Sequence, residues 1–340
     1  MRTRLHLCLA GLISALLLSP AMAADAPSTA APPPAAWIDA AQSEALVRRL
    51  VDQHGMSEPA VRALLREATF RQDIIDAITR PYEAKPWYQY RGLFLTTARI
   101  EGGAAFWQAN RERLEQAEAR YGVPAEIVVA IIGVETQFGR NLGRYRVLDA
   151  LATLGFAYPP RSAFFLGELE QFLTLTQEEH LDPRQTLGSY AGAMGMGQFI
   201  PSSYRSYAVD FDGDGQRNLW QPADAIGSVA NYFARHGWQK DERVAFPAQA
   251  TTPEAQALGN QTRETPYTVA SLRQAGVRSE GTLPAKLPAN LLTLDQVDGP
   301  EYWVTLPNFY VITRYNHSVL YAMAVFQLSQ EIRRAYQEKI

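Results

Sequence analysis

The stretch Ile127-Val-Val-Ala-Ile-Ile-Gly-Val-Glu-Thr-Gln-Phe-Gly139 decides how this chain is read. Ile127 to Val134 is apolar on every side apart from Gly133, and Tyr121-Gly122-Val123-Pro124 ahead of it reads as a stop followed by a start, with Pro124 suited to a first helical turn. A helix that is apolar all round is buried at the centre of a domain. Glu135 ends the run, with Ile131 and Ile132 as neighbours on its helix face. Apolar surroundings disfavour the charged form of a carboxyl group, the condition a general acid needs near neutral pH. Gly139 and Gly143 then leave room for a ligand near the helix end. Spacing alone leaves other readings open: a glutamate paired with a buried arginine, or one that faces water.

Two further stretches carry chemistry. Ser189-Tyr-Ala-Gly-Ala-Met-Gly-Met-Gly-Gln198 has glycines at 192, 195 and 197, so its backbone is accessible and its turns unusual, while Ser189 and Gln198 can hydrogen-bond sugar hydroxyl or N-acetyl groups. A tight connection between packed helices explains the glycines equally well. Asp210-Phe-Asp-Gly-Asp-Gly-Gln216 matches the start of a calcium loop, with oxygen ligands at the first, third and fifth positions, glycine at the sixth and a backbone carbonyl at the seventh. Gln221 stands where the closing glutamate is expected, and Asp224, three residues on, could close a longer loop. The alternative is an acidic surface turn, against which stands the mutual repulsion of three alternating carboxylates without a cation.

Helical periodicity surrounds these stretches. It begins at Trp37, places Ala45, Leu46, Leu50 and Val51 on one face, sets Ser57 as an N-cap, and predicts one helical stretch from Gly102 to Arg120. Leu148 to Leu154, Phe164 to Leu175 and Ser318 to Tyr336 are also expected to be helical. Pro81 and Pro86 bracket a break. Residues 240 to 300 are rich in Thr, Pro, Gly and Val and read as a small β-containing insertion, and Trp303 to Tyr310 reads as a strand. No solenoid repeat is present.

Composition excludes several classes. The 340 residues carry 32 Lys and Arg against 35 Asp and Glu, a net charge of −3 with no long basic run, so nucleic-acid binding has no electrostatic footprint. The five histidines form no HExxH pair and no tight cluster, which argues against zinc. No G-x-S-x-G elbow is present. Arg2 and Arg4, the apolar Leu7 to Leu18 and the A-x-A signal Ala21-Met22-Ala23 have the grammar of an export signal cleaved before Ala24. Cys8 precedes most of the apolar core, which argues against a lipid anchor, and cleavage would leave a soluble mature chain with no cysteine. Ala24 to Ala36, with three successive prolines, reads as a tether.

The segment Ile131 to Gly139, then Ser189 to Gln198, Ser202-Ser-Tyr204, Asp210 to Trp220, Ala225 to Phe233, and also Arg80-Pro-Tyr-Glu83 and Tyr302 to Met323, together resemble the B-type lytic murein transglycosylases, glycoside hydrolase family 103. The motifs occur in matching order over nearly the whole mature chain. The resemblance implies a mainly α fold: a goose-lysozyme-like catalytic core (121–238 plus 301–340), a helical N-terminal domain (37–120) and a small β-containing domain (239–300), after a signal peptide (1–23) and a linker (24–36). It implies Glu135 as the single catalytic acid/base, a glycan groove lined by Arg161, Ser189, Gln198, Tyr232, Tyr315, Asn316 and Tyr321, no catalytic cofactor, and a structural Ca2+ held by Asp210, Asp212, Asp214, Gln216 and Asp224. Pro160 departs from the family, which has a second arginine there. The implied reaction cleaves the β-1,4 bond between N-acetylmuramic acid and N-acetylglucosamine and closes a 1,6-anhydro ring. The implied partner is the glycan strand of peptidoglycan in the periplasm; proteins of wall synthesis or division are left open. The competing expectations are a hydrolytic muramidase, which needs a second carboxylate or a water site, and a non-catalytic peptidoglycan-binding protein.

Overall fold

The computed structural model describes residues 37–80 and 85–338. The expected export signal with Cys8, the 24–36 tether and the Pro81-Tyr82-Glu83 part of the resemblance lie outside the described residues. Within them the chain is mainly helical with a small antiparallel sheet, as expected. It divides into two compact units, one of residues 37–80 with 135–231, the other of residues 85–134 with 232–338.

The first unit opens with α1 (Ala40–His54), α2 (Glu58–Glu67) and α3 (Gln72–Thr79). Asp39 caps α1 by accepting the Gln42 N–H, and Gly55 ends it in the left-handed conformation. Ser57 stands at the N-cap of α2 as expected but its side chain makes no capping bond. The chain then forms α4 (Trp87–Gly92), α5 (Thr97–Ala109), α6 (Arg111–Tyr121) and α7 (Ala125–Thr136). The single helix expected over Gly102 to Arg120 is thus two. They break at Asn110, which leaves helical backbone at φ −122° and ψ 23° and whose side chain donates to the Phe106 carbonyl alongside its own backbone N–H.

Helix α7 is the buried helix that its composition demands: every side chain from Ile127 to Ile132 is buried. Each such aliphatic side chain stabilises the fold by roughly 1.5–3 kcal/mol, so little else could hold this segment at the surface. Pro124 precedes its first turn, and Glu118 caps it by accepting the Ala125 N–H. The last two residues of α7, Glu135 and Thr136, belong to the first unit.

From Glu135 the first unit resumes with β1 (Tyr145–Arg146), α8 (Val147–Ala157), α9 (Ser162–Glu178), β2 (Leu187–Gly188), α10 (Pro201–Tyr207) and most of α11 (Pro222–Arg235). The strands β1 and β2 pair antiparallel. The rest of the chain contributes β3 (Ala245–Ala250), α12 (Pro253–Ala257), β4 (Tyr267–Thr268), α13 (Val269–Gln274), β5 (Val277–Ser279), β6 (Pro288–Gln296), β7 (Gly299–Thr305), α14 (Pro307–Tyr315) and α15 (Val319–Gln337). The sheet runs β4-β6-β7-β3-β5, with every neighbouring pair antiparallel. Its own core contains Phe246, Val269, Leu272, Leu291, Val304 and Leu306. The strand expected over Trp303 to Tyr310 stops at Thr305, because Pro307 fits the first turn of a helix and α14 begins there.

Candidate active site

Glu135 occupies the last turn of α7 and is only 3% exposed. The chain beyond it turns sharply. Gln137 and Phe138 have φ of 51° and 61°, and Gly139 follows at 85°. Left-handed backbone costs a residue with a Cβ roughly 1–2 kcal/mol, so this turn must be held by its surroundings. The hydroxyl of Thr136 does part of that. It accepts the Gly139 N–H at 3.1 Å and donates to the Met196 carbonyl at 2.9 Å. The Thr136 carbonyl accepts the Asn141 N–H at 3.0 Å. Strained backbone of this kind clusters at functional sites.

The glycine-rich stretch forms the loop that Thr136 reaches. Ser189 is almost fully buried, and its hydroxyl accepts the Ala193 N–H at 2.9 Å and the Ala191 N–H at 3.3 Å. A hydroxyl keeps one proton to donate, so Ser189 both closes the loop and retains a donor. Gln198 sits in the left-handed region at φ 50° and donates through Nε2 to the Gly195 carbonyl at 3.0 Å and the Leu142 carbonyl at 3.4 Å. Its Oε1 is buried, and no donor among the described residues reaches it. The glycines here are steric requirements. A Cβ on Gly143 would lie 2.1 Å from the Gly188 carbonyl, and one on Gly195 would lie 2.4 Å from the Leu219 Cβ. Arg161 is half-buried, with its guanidinium over the rings of Phe164 and Phe165 at 4.3 and 5.1 Å, and burial lowers its pKa.

The acidic loop brings the carboxylates of Asp210, Asp212 and Asp224 within 4.8 Å of one another. Asp210 accepts the Gly213, Asp214 and Gly215 N–H groups, which wraps the loop around it. Asp224, from the first turn of α11, is buried and accepts the Phe211 and Asn218 N–H groups at 2.7 and 2.6 Å. Gly213 and Gly215 have φ of 78° and 90°, as a sharp loop turn requires. Asp214 stands apart from the trio, with its carboxylate accepting the Gln216 N–H at 2.9 Å. Three carboxylates so close favour a hard cation with oxygen ligands, as calcium is, and Asp214 and Gln216 lie on the same loop. The residues fit the ion.

The aromatic residues of the expected groove belong to the other unit. Tyr232 donates its hydroxyl to the Arg314 carbonyl at 2.6 Å, packs edge-on against Tyr315 at 4.9 Å and stacks on His236 at 4.0 Å. The Tyr315 ring also stacks on Phe233. Asn316 ends α14 and is buried, its carbonyl accepting the Ser318 N–H. Tyr321, in the first turn of α15, is fully buried. Each unit therefore gathers its own set: Glu135, Ser189, Gln198, Arg161 and the acidic loop in one, Tyr232, Tyr315, Asn316 and Tyr321 in the other.

Sequence reasoning passed over four residues that build this region. Thr136 carries no signal in the sequence beyond its place after Glu135. Ser228, fully buried, accepts the Val209 N–H at 2.9 Å, and Asn231 donates to the Tyr207 carbonyl at 2.8 Å, so α11 holds the entry to the acidic loop. Glu168 on α9 accepts both the N–H and the hydroxyl of Ser202 at the start of α10, and burial raises its pKa. The one available signal was a polar residue inside an apolar helical pattern, as with Glu168 between Phe165 and Leu169.

The model of the family described as Transglycosylase SLT domain matches residues 39–330. The chain is 45% identical over 303 residues to the membrane-bound lytic murein transglycosylase B of Escherichia coli (strain K12), which covers 86% of this chain and 83% of that relative. Among solved structures it is similar to the soluble lytic transglycosylase SltB1 of Pseudomonas aeruginosa, at 49% identity and a TM-score of 0.83 over 86% of this chain and 99% of that one. It is also similar to the Escherichia coli lytic transglycosylase SLT35 in complex with calcium, at 44% identity and a TM-score of 0.79 over 87% and 93%.

Proposed function

The chain belongs to the transglycosylase SLT domain family, and from that premise we propose that it is a lytic transglycosylase that cleaves peptidoglycan glycan strands with Glu135 as its one acid/base. The observation that carries the residue assignment is the placement of a carboxyl group, nearly excluded from solvent, at the end of a buried apolar helix and before a left-handed turn.

The chemistry runs in two proton transfers. The Glu135 carboxyl donates its proton to the oxygen that links N-acetylmuramic acid to N-acetylglucosamine, and that bond breaks with the electron pair leaving on the oxygen. The 2-acetamido group can stabilise the developing cation at the muramic C1. The Glu135 carboxylate then takes the proton of the muramic C6 hydroxyl, whose oxygen bonds to C1 and closes the 1,6-anhydro ring. The acid is regenerated and no water is consumed. A substrate that supplies its own nucleophile dispenses with the second carboxylate of ordinary glycosidases, and well-aligned intramolecular attack is worth roughly 7–11 kcal/mol. In this reading the hydroxyl proton of Ser189 and the buried Oε1 of Gln198 meet N-acetyl or hydroxyl groups of the glycan. Arg161 serves the same substrate, and for Tyr232, Tyr315, Asn316 and Tyr321 of the other unit the family resemblance assigns glycan binding.

A calcium ion held by Asp210, Asp212, Asp214, Gln216 and Asp224 would supply structure, not chemistry. It would cancel the repulsion among the carboxylates and pin the start of α11. The solved calcium complex of a relative supports this.

Mass spectrometry of the products of murein digestion tests the reaction. The expected fragment ends in 1,6-anhydromuramic acid, lighter by one water than a hydrolysis product. Reducing-end N-acetylmuramic acid as the main product would make the enzyme a hydrolytic muramidase, and no products at all would leave a binding protein.

A further inference from the structure

Thr136 follows Glu135 directly and is completely buried. Its hydroxyl has one proton, which goes to the Met196 carbonyl, and it accepts the Gly139 N–H across the turn. One oxygen therefore closes the left-handed turn and fastens it to a loop sixty positions away in sequence. Met196 is itself held from the other side, since its N–H donates to the Leu219 carbonyl at 2.7 Å, and Leu219 follows Asn218, whose N–H is bound by Asp224. The Met196 methyl fills the space beside Gly139, where a Cβ would meet it at 2.8 Å. Ser189 and Gln198 lie on the same loop as Met196.

We propose that Thr136 is a positioning residue for Glu135: its hydroxyl sets the distance between the carboxyl group and the loop that carries Ser189 and Gln198. The proposal rests on the reading of Glu135 as the acid. The physical reason is that the helix bearing Glu135 ends at Thr136, and the residues after it are in a conformation that Gln137 and Phe138 do not choose for themselves. Without the hydroxyl the Met196 carbonyl and the Gly139 N–H lose their partners, and the turn can relax toward ordinary backbone. A displacement of about 1 Å at a reacting group can cost on the order of a hundredfold in rate.

The test compares Thr136→Val, which keeps shape and removes both hydrogen bonds, with Thr136→Ser, which keeps them, and with Glu135→Gln, all on soluble glycan fragments with kcat referred to folded protein. The expected result for Thr136→Val is kcat lower by about ten- to a hundredfold with KM within about threefold, and Thr136→Ser within about fivefold of wild type. A merely structural role would reduce the folded fraction and leave kcat per folded molecule unchanged, and that result overturns the proposal. So does an equal loss in Thr136→Val and Thr136→Ser. Near-normal turnover by Glu135→Gln would overturn the acid assignment itself and the positioning role with it; an inactive Glu135→Gln beside a fully active Thr136→Val overturns positioning alone. Should Thr136→Val not fold, hydrogen exchange in the wild-type protein decides. The Gly139 amide should be protected to the same degree as that of Met196, and exchange at the rate of an open loop would rule the joint out.

Discussion

In the proposed mechanism Glu135 carries the chemistry through one exchangeable proton. Glu135→Gln keeps the volume and the hydrogen-bonding shape but neither gives nor takes that proton at either step. General acid/base assistance is typically worth about 10²–10⁴-fold, and one group here serves twice, so turnover should fall at least that far while folding and glycan binding persist. Release of soluble muropeptides per folded molecule measures it, and turnover near wild type would refute the assignment. His236 gives a second prediction at this scale. Its pKa lies below the ordinary 6.5, first because of desolvation and also because of Arg314 and Arg235, with the Tyr232 carbonyl opposing. Between the lowered value and 6.5 the unfolded chain binds the proton more readily than the folded one, so stability rises with pH through that window and levels off above it. His317 shifts in the same direction. A His236→Phe protein, compared with wild type by melting temperature from about pH 5 to 8, should show a shallower rise, with His317 accounting for part of what remains. An unchanged slope would mean that His236 does not contribute.

At the scale of elements, the acidic loop and α11 behave as one device. Asp224 belongs to the helix, Asp210 and Asp212 to the loop, and Ser228 and Asn231 of the helix hold the residues just before it. A cation bound by the folded loop alone stabilises the fold by mass action, about 2.7 kcal/mol at a hundredfold excess over its dissociation constant. Chelator should therefore lower the melting temperature and calcium restore it, with magnesium less effective because it demands a tighter octahedral set. Melting curves that do not move with calcium over a wide concentration range would defeat this reading. The glycine-rich loop is specified differently. It needs no ion, since backbone bonds among Ser189, Ala193, Met194 and Phe199 close it and the Gly143–Gly188 approach leaves no space for a side chain.

For the whole molecule the question is where it works. Among the described residues no helix is long and apolar enough to cross a membrane, and the similar proteins include one named membrane-bound and one named soluble. The first residues carry the grammar of a cleaved export signal. The expected outcome is a periplasmic protein that begins at Ala24, checked by N-terminal sequencing after fractionation. Lipid-modified Cys8 in the membrane fraction would contradict it.

What the sequence by itself determined is whatever composition forces locally. A run apolar on every side has no place but the interior, so α7 was legible, as was Glu135 at its end. The alternating carboxylates Asp210, Asp212 and Asp214 with Gly213 and Gly215 made an acidic loop with the start of a calcium-loop pattern legible as an expectation. Pro124 marked the start of α7, and the helical period over Ser318 to Tyr336 foretold α15. The tertiary structure alone decided the rest. Periodicity runs straight through Asn110, yet its backbone leaves the helical region there, with the side chain bound to the Phe106 carbonyl. Tyr232 meets Tyr315 and Arg314 from a distant part of the chain, and no local pattern records that pairing. The left-handed turn after Glu135 is against the preference of Gln137 and Phe138. It persists because Thr136 finds the Met196 carbonyl across the fold, and a conformation held by remote partners leaves no trace in the residues that adopt it.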